Sequence, residues 1–293
     1  MKTSRSVRRI AAVHDLSGVG RVSLTVVIPI LSTMGFDVCP LPTAILSNHT
    51  QYENFTFLDL TDEMPAIIDH WEKLGVDFEA IYTGYLGSPR QIRIVADFIE
   101  RFRTPDTLVV VDPVLGDNGR LYNKITDEMV SEMRTLAARA DVLTPNLTEL
   151  FALLNEPFRS ECTDDELKAA ITELTSSGSG PDTVIITGVP VQGKPNLTSV
   201  IARSRTDGRT WKVTCPYLPA HYPGTGDAFT SVITGSLLQG DSLPIALDRA
   251  AQFILQGIRA TFGYQTDNRE GILLERVLQN LSLPIQSATY ELV

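Results

Sequence analysis

The chain has 293 residues, 43% hydrophobic and 20% charged, an ordinary globular composition with enough material for one large α/β core. Its 25 Lys plus Arg against 35 Asp plus Glu give a formal net charge of −10, so the mean surface field disfavours nucleic acid and anionic lipid as partners. Cys39, Cys162 and Cys215 are odd in number and lack CxxC or Cys/His spacing, which argues against a disulfide framework and against a zinc site.

The basic start, residues 1–9, runs into the short apolar run 10–13 and then His14-Asp15, too brief for a signal-peptide core. No stretch reaches the roughly 18 uncharged apolar residues of a membrane span, and the expected location is the cytoplasm. Runs 10–13, 80–82, 108–111, 141–143 and 184–186 read as buried strands. Between them, 22–34, 64–74, 92–102, 129–136 and 167–174 carry helical spacing. Thr61-Asp62-Glu63, Thr126-Asp127-Glu128 and Thr163-Asp164-Asp165-Glu166 read as helix starts with acids in the first turn. Past residue 195 the pattern changes: 198–202 and 210–214 read as antiparallel strands around Thr206-Asp207-Gly208-Arg209, followed by helices over about 228–239 and 244–261. The alternation predicts a mostly parallel sheet with helices on both faces, a three-layer α/β/α fold. No linker or low-complexity tract divides it, so one domain over 1–293 is expected.

In such a sheet ligands bind beyond the carboxyl ends of the strands. His14-Asp15, Thr83-Gly84-Tyr85, Asp112-Pro113, Thr144-Pro145-Asn146 and Thr187-Gly188 each follow one apolar run. Gly224-Thr225-Gly226-Asp227 is a Gly-rich turn leading into an apolar helix. The unpaired N–H groups of such a helix start can hold phosphate oxygens, and Asp227 at its mouth can take a proton from a substrate hydroxyl. Taken alone, such a tetrapeptide is more commonly a loop with an Asp N-cap. Asp112 and Asp117, within Asp112-Pro113-Val114-Leu115-Gly116-Asp117, can hold magnesium through water or merely form turns. Asn146 and Glu149 have capping-box spacing, which needs no ligand. Ser47-Asn48-His49-Thr50-Gln51-Tyr52 is either a surface loop or a reader of a heteroaromatic ring.

In chain order, Ser47-Asn48-His49-Thr50, Thr83-Gly84-Tyr85, Asp112 to Asp117, Thr144-Pro145-Asn146 and Gly224-Thr225-Gly226-Asp227 resemble the pyridoxal kinases of the ribokinase-like superfamily over nearly the whole chain. The resemblance implies ATP-dependent phosphorylation of the 5′-hydroxymethyl group of a B6 vitamer, with magnesium and often a monovalent cation such as K+. It implies Asp227 as the base and the turn Gly224, Thr225, Gly226 as the anion hole. It places Asp112, Asp117 and Glu149 at the metal, with Asn146, Tyr122, Thr187 and Gly188 on the nucleotide side. It places Asp15, Ser47, His49, Thr50 and Tyr85 around the pyridine ring, and such kinases commonly form homodimers. One departure stands out: Asp15 occupies the position where the family usually carries a Ser, which favours a cationic 4-aminomethyl substituent. A hydroxymethylpyrimidine kinase is the nearest rival, although that branch usually has Cys where Asp227 stands. A non-catalytic relative that binds pyridoxal phosphate or nucleotide is a further alternative, against which the intact Asp227 argues.

Overall fold

The computed structural model describes residues 6–176, 180–264, 266–283 and 289–293, so residues 1–5 of the basic start lie outside the described residues. In chain order the first half contains β1 (Arg9–Ser17), α1 (Leu24–Thr33), β2 (Asp37–Leu46), β3 (Phe57–Asp59), α2 (Met64–Lys73), β4 (Ala80–Thr83), α3 (Pro89–Phe102) and β5 (Leu108–Val111). There follow the short pair β6 (Gly116–Asp117) and β7 (Arg120–Leu121), then α4 (Asp127–Ala137), β8 (Val142–Leu143), α5 (Leu147–Leu154) and α6 (Asp164–Thr175). The remainder is β9 (Thr183–Pro190), β10 (Leu197–Ser204), β11 (Thr210–Pro216), α7 (Thr225–Gln239), α8 (Leu243–Phe262) and β12 (Tyr290–Leu292).

Ten strands form one sheet in the order β12-β11-β10-β9-β8-β5-β4-β1-β2-β3. The six from β9 to β2 are parallel, and both ends of the sheet are antiparallel. The apolar run of β1 is buried on both faces, and alternate side chains feed two cores. Ala11 and Val13 join α2 to α6, whereas Ile10 and Ala12 join α1, α7 and α8. This is the expected three-layer, ribokinase-like α/β/α arrangement.

Because β1 is followed by β2 on one side and flanked by β4 on the other, the strand order reverses between β1 and β4. A crevice opens at such a reversal. His14 and Asp15, in the C-terminal half of β1, and Thr83-Gly84-Tyr85 at the end of β4 therefore flank it.

Two capping expectations hold: Thr126 caps α4, and Thr163 with Glu166 makes a full capping box on α6. The third does not. The cap of α2 is Glu63, without a side-chain cap bond, because Thr61 is bonded to Asp59 and Gln91 instead. The strand β2 was not expected, since Pro40 and Pro42 interrupt its pattern; β3 pairs only with residues 44–46, so both prolines sit where the outer edge is uncovered. His14-Asp15 and Thr187-Gly188 also differ from expectation, lying inside lengthened strands beside register shifts rather than beyond strand ends.

Candidate active site

The turn before α7 needs glycine at 224: its φ is +79°, and a Cβ there would overlap the Arg21 carbonyl oxygen. Gly224 is the N-cap and has no side-chain acceptor to offer, so the first-turn N–H groups of Thr225, Gly226 and Asp227 can serve an anion. Thr225 donates its hydroxyl to the Tyr222 carbonyl, 3.1 Å away, which ties the turn down.

The Asp227 side chain is 14% exposed. Its Oδ2 accepts the backbone N–H of Ser23 at 2.8 Å, and its Oδ1 lies 3.8 Å from His14 Nδ1. Tyr82 and Ser231 donate to its backbone carbonyl. Burial pushes the Asp227 carboxyl up to about 7; the Ser23 N–H pulls it down and the Asp15 charge pushes it up. His14 is fully buried, packs edge-on against Tyr82, and is held neutral by desolvation, which lowers it to about 3. It therefore supplies no positive charge to Asp227.

Asp15 is buried, with Oδ1 accepting Ser23 Oγ at 2.5 Å and Oδ2 accepting Ser17 Oγ at 3.0 Å. Burial raises its carboxyl, while those hydroxyls and nearby His49 favour the charged form. Tyr85 is half-buried and close enough to Asp15 for that charge to push its phenol up further, after burial.

On the other side of the turn stands the acidic group. Asp112 is buried, and its Oδ2 would be 3.9 Å from a Cβ at Gly226. Thr230 bridges Asp112 and Thr144. Burial, then the charges of Glu149 and Asp227, push Asp112 well above the usual carboxylate range. Glu149 takes the N–H groups of Leu115 and Asn146, and burial lifts it to about 8 against those bonds. Asn146 completes the capping box and donates to the Gly116 carbonyl.

Asp117 sits in the β6–β7 hairpin bonded to Asn118, and Tyr122 follows, 45% exposed. Burial and then the charges of Glu149, Asp117, Asp112 and Asp227 raise its phenol. Thr187 joins Asn146 through a parallel bridge, and Gly188 beside it has φ +65° and open space where a side chain would stand.

The loop after β2 is closed mostly on itself. Ser47 Oγ accepts Thr56 N–H and donates to Asn48, and Thr50 is exposed. Both ring nitrogens of His49 are engaged, Nε2 with the Arg269 carbonyl at 2.6 Å and Nδ1 with the Gln51 N–H. The sequence singled out most of these positions but missed Ser23, Thr230 and Tyr82. Ser23 stands immediately before the apolar run that begins at Leu24, which is the signal of a helix N-cap; the other two carry no local signal.

Among the described residues no three His, Cys, Asp or Glu side chains converge as a closed metal cage. Both Glu149 oxygens are already bonded, yet Asp112 is a buried carboxylate raised partly by other carboxylates. That donor set suits a hydrated divalent cation held by few direct ligands.

The raised carboxyls carry a stability consequence. A carboxyl raised in the folded state contributes stability fully present below its unfolded value of about 3.9 and lost as pH rises through the folded value. With Asp227 raised to about 7, that loss spans pH 4 to 7 or somewhat above. Asp227→Asn is therefore expected to raise the thermal midpoint at pH 8 more than at pH 4, measured by calorimetry at both.

A family profile described as Phosphomethylpyrimidine kinase matches residues 42–271. A Bacteroides thetaiotaomicron protein described as a phosphomethylpyrimidine kinase, solved in a crystal form with pyridoxal, is 72% identical over 98% of this chain and all of its own, with TM-score 0.95. Pyridoxal kinase from Lactobacillus plantarum is 32% identical, covers 94% of this chain and 97% of its own, and has TM-score 0.86. Pyridoxal kinase of Arabidopsis thaliana is 29% identical over 78% of this chain and 73% of its own length. The chain thus belongs to the phosphomethylpyrimidine kinase family, on the ribokinase-like fold that its pyridoxal kinase relatives carry.

Proposed function

We propose that this chain is an ATP-dependent pyridoxal kinase, moving the γ-phosphoryl group of ATP onto the 5′-hydroxymethyl oxygen of a B6 vitamer, as one kinase domain over residues 1–293. The observation that carries the reading is Asp227: one carboxylate oxygen is fixed by an amide, the side chain keeps an open face, and it stands in the first turn of a glycine-capped helix. The pyridoxal crystal form of the protein at 72% identity supports the choice of alcohol.

Asp227 accepts the hydroxyl proton as the substrate oxygen attacks the γ-phosphorus and ADP leaves. The N–H groups of Gly224, Thr225 and Gly226 face the charge that grows on the transferred group. Asp112, with Glu149 and Asp117 acting through water, would hold magnesium, which neutralises phosphate charge when bound. Asn146, Thr187 and Gly188 line the nucleotide side, with Tyr122 as a cover over it. Asp15, Tyr85, His49, Ser47 and Thr50 surround the ring. A monovalent cation such as K+, a homodimer and a cytoplasmic location belong to the same reading; among the described residues no disulfide joins Cys39, Cys162 or Cys215, and no helix is long and apolar enough to cross a membrane.

A coupled assay of ATP consumption with pyridoxal, pyridoxine, pyridoxamine, hydroxymethylpyrimidine and ribose tests the reading. Turnover confined to hydroxymethylpyrimidine would favour the second reading, a pyrimidine kinase, which the family profile supports. Within the vitamers, Asp15 favours the cationic aminomethyl group. Asp15→Asn is expected to lower kcat/KM for pyridoxamine relative to pyridoxal by about tenfold, the equivalent of 1.4 kcal/mol. An equal loss for all three vitamers contradicts that role.

A further inference from the structure

Ser23 is the one described non-glycine residue at a helix start with positive φ: φ is +50° and ψ is −131°, immediately before α1. L side chains adopt this region rarely, and such outliers persist only where surrounding contacts over-determine them. Here two contacts do so. The Ser23 hydroxyl donates to Asp15 Oδ1 at 2.5 Å, and its backbone N–H donates to Asp227 Oδ2 at 2.8 Å. The two acceptors come from opposite ends of the chain, β1 and α7, and Ser23 is buried between them.

The segment leading to Ser23 is fastened as well. Arg21 N–H donates to the Glu270 carbonyl, the Arg21 guanidinium pairs with Glu275, and Thr25 Oγ1 closes onto Val22 and Gly20. The Arg21 carbonyl fills the space where a Cβ of Gly224 would stand, so this segment lies directly against the phosphate-binding turn. A backbone donor held in this way fixes one oxygen of Asp227 and leaves the other for a substrate hydroxyl.

We infer that Ser23 is a positioning residue for the Asp227 base: Asp15 anchors its hydroxyl, and that anchor holds the strained backbone whose N–H orients Asp227. The inference rests on the phosphotransfer reading of Asp227. It also gives Asp15 a task separate from any contact with the vitamer. The groups that face Asp227 are His14 and Asp15 from β1, Tyr82 from β4, Asp112 after β5 and Tyr122 after β7, with Ser23 N–H as its direct amide donor.

Four proteins test it: Ser23→Ala, which keeps the Cβ and loses the anchor; Ser23→Gly, which loses the anchor but adopts the backbone freely; and each of these combined with Asp227→Asn. Ser23→Ala is expected to lower kcat about tenfold with KM for ATP and vitamer within about twofold, and Ser23→Gly to lower it less. Neither is expected to slow the Asp227→Asn protein further, because the effect runs through Asp227. Equal losses in the presence and absence of Asp227, or no loss in either variant, overturn the inference. Should Ser23→Ala not fold, Ser23→Gly decides by the same non-additivity. A readout without turnover separates this from failure of the kinase reading: in protein labelled with 13C at aspartate carboxyls, the signal absent from Asp227→Asn should titrate at higher pH in the Ser23 variants. An unmoved midpoint overturns the inference even if the wild type phosphorylates pyridoxal; a moved midpoint in a wild type inactive on every vitamer upholds the positioning and overturns the kinase reading.

Discussion

Asp227→Asn is expected to lower kcat for pyridoxal by about 10²–10⁴-fold, the usual contribution of a positioned general base, with KM for ATP little changed. The amide has nearly the carboxylate's shape and can still accept the Ser23 N–H, so the loss isolates proton acceptance from the geometry of the turn. The pH dependence follows from the same residue. Only ionised Asp227 can take the proton, and burial raises its carboxyl to about 7, so the rate should climb with pH up to about 7 and then level. A steady-state pH series on wild type checks this; a flat profile between pH 5 and 8 contradicts it.

Gly224→Ala is expected to be the most damaging single methyl group near the site. The backbone conformation at φ +79° alone costs an L residue about 1–3 kcal/mol. At about 2–4 °C per kcal/mol, that is a fall of roughly 2–12 °C in thermal midpoint. Overlap of the new Cβ with the Arg21 carbonyl adds to this and displaces the segment that carries Ser23. Activity should therefore fall in the protein that remains folded. Gly240→Ala is the matched comparison: its φ is also positive, at +95°, but open space surrounds the position at the far end of α7. It should lose stability while kcat stays near wild type. Equal kcat in both variants contradicts the role given to the turn.

Much of this architecture was legible because burial on both faces leaves a plain trace. Residues 10–13 of β1 and all of β5 are uninterrupted apolar runs, and the caps at Thr126 and Thr163 are local chemistry that a few residues decide. The strand β2 was hidden because Pro40 and Pro42 are tolerable only at an uncovered edge, and the coverage is set by β3. Thr61 looked like a cap because its competition with Asp59 and Gln91 is tertiary. At the site, the turn at Gly224 and the acids at Asp112 and Asp117 carry their types in the sequence, and Glu149 was marked by its spacing from Asn146. Ser23 was not legible as an active-site residue, since its role depends on Asp227, distant by 204 positions. His49 was legible as part of a polar loop, but its ring is spent on Arg269 and Gln51, which the loop's own residues do not reveal in full.

The central claim is that Asp227 takes a proton from the vitamer's hydroxymethyl group while the γ-phosphoryl group arrives. It is tested most directly by following ATP and pyridoxal with 31P NMR in the presence of wild type and of Asp227→Asn. The expected result is a new phosphomonoester signal on the 5′ oxygen with wild type, formed at least about 10²-fold more slowly by the variant. Equal rates of ester formation in the two proteins, or release of inorganic phosphate without any ester, would contradict it.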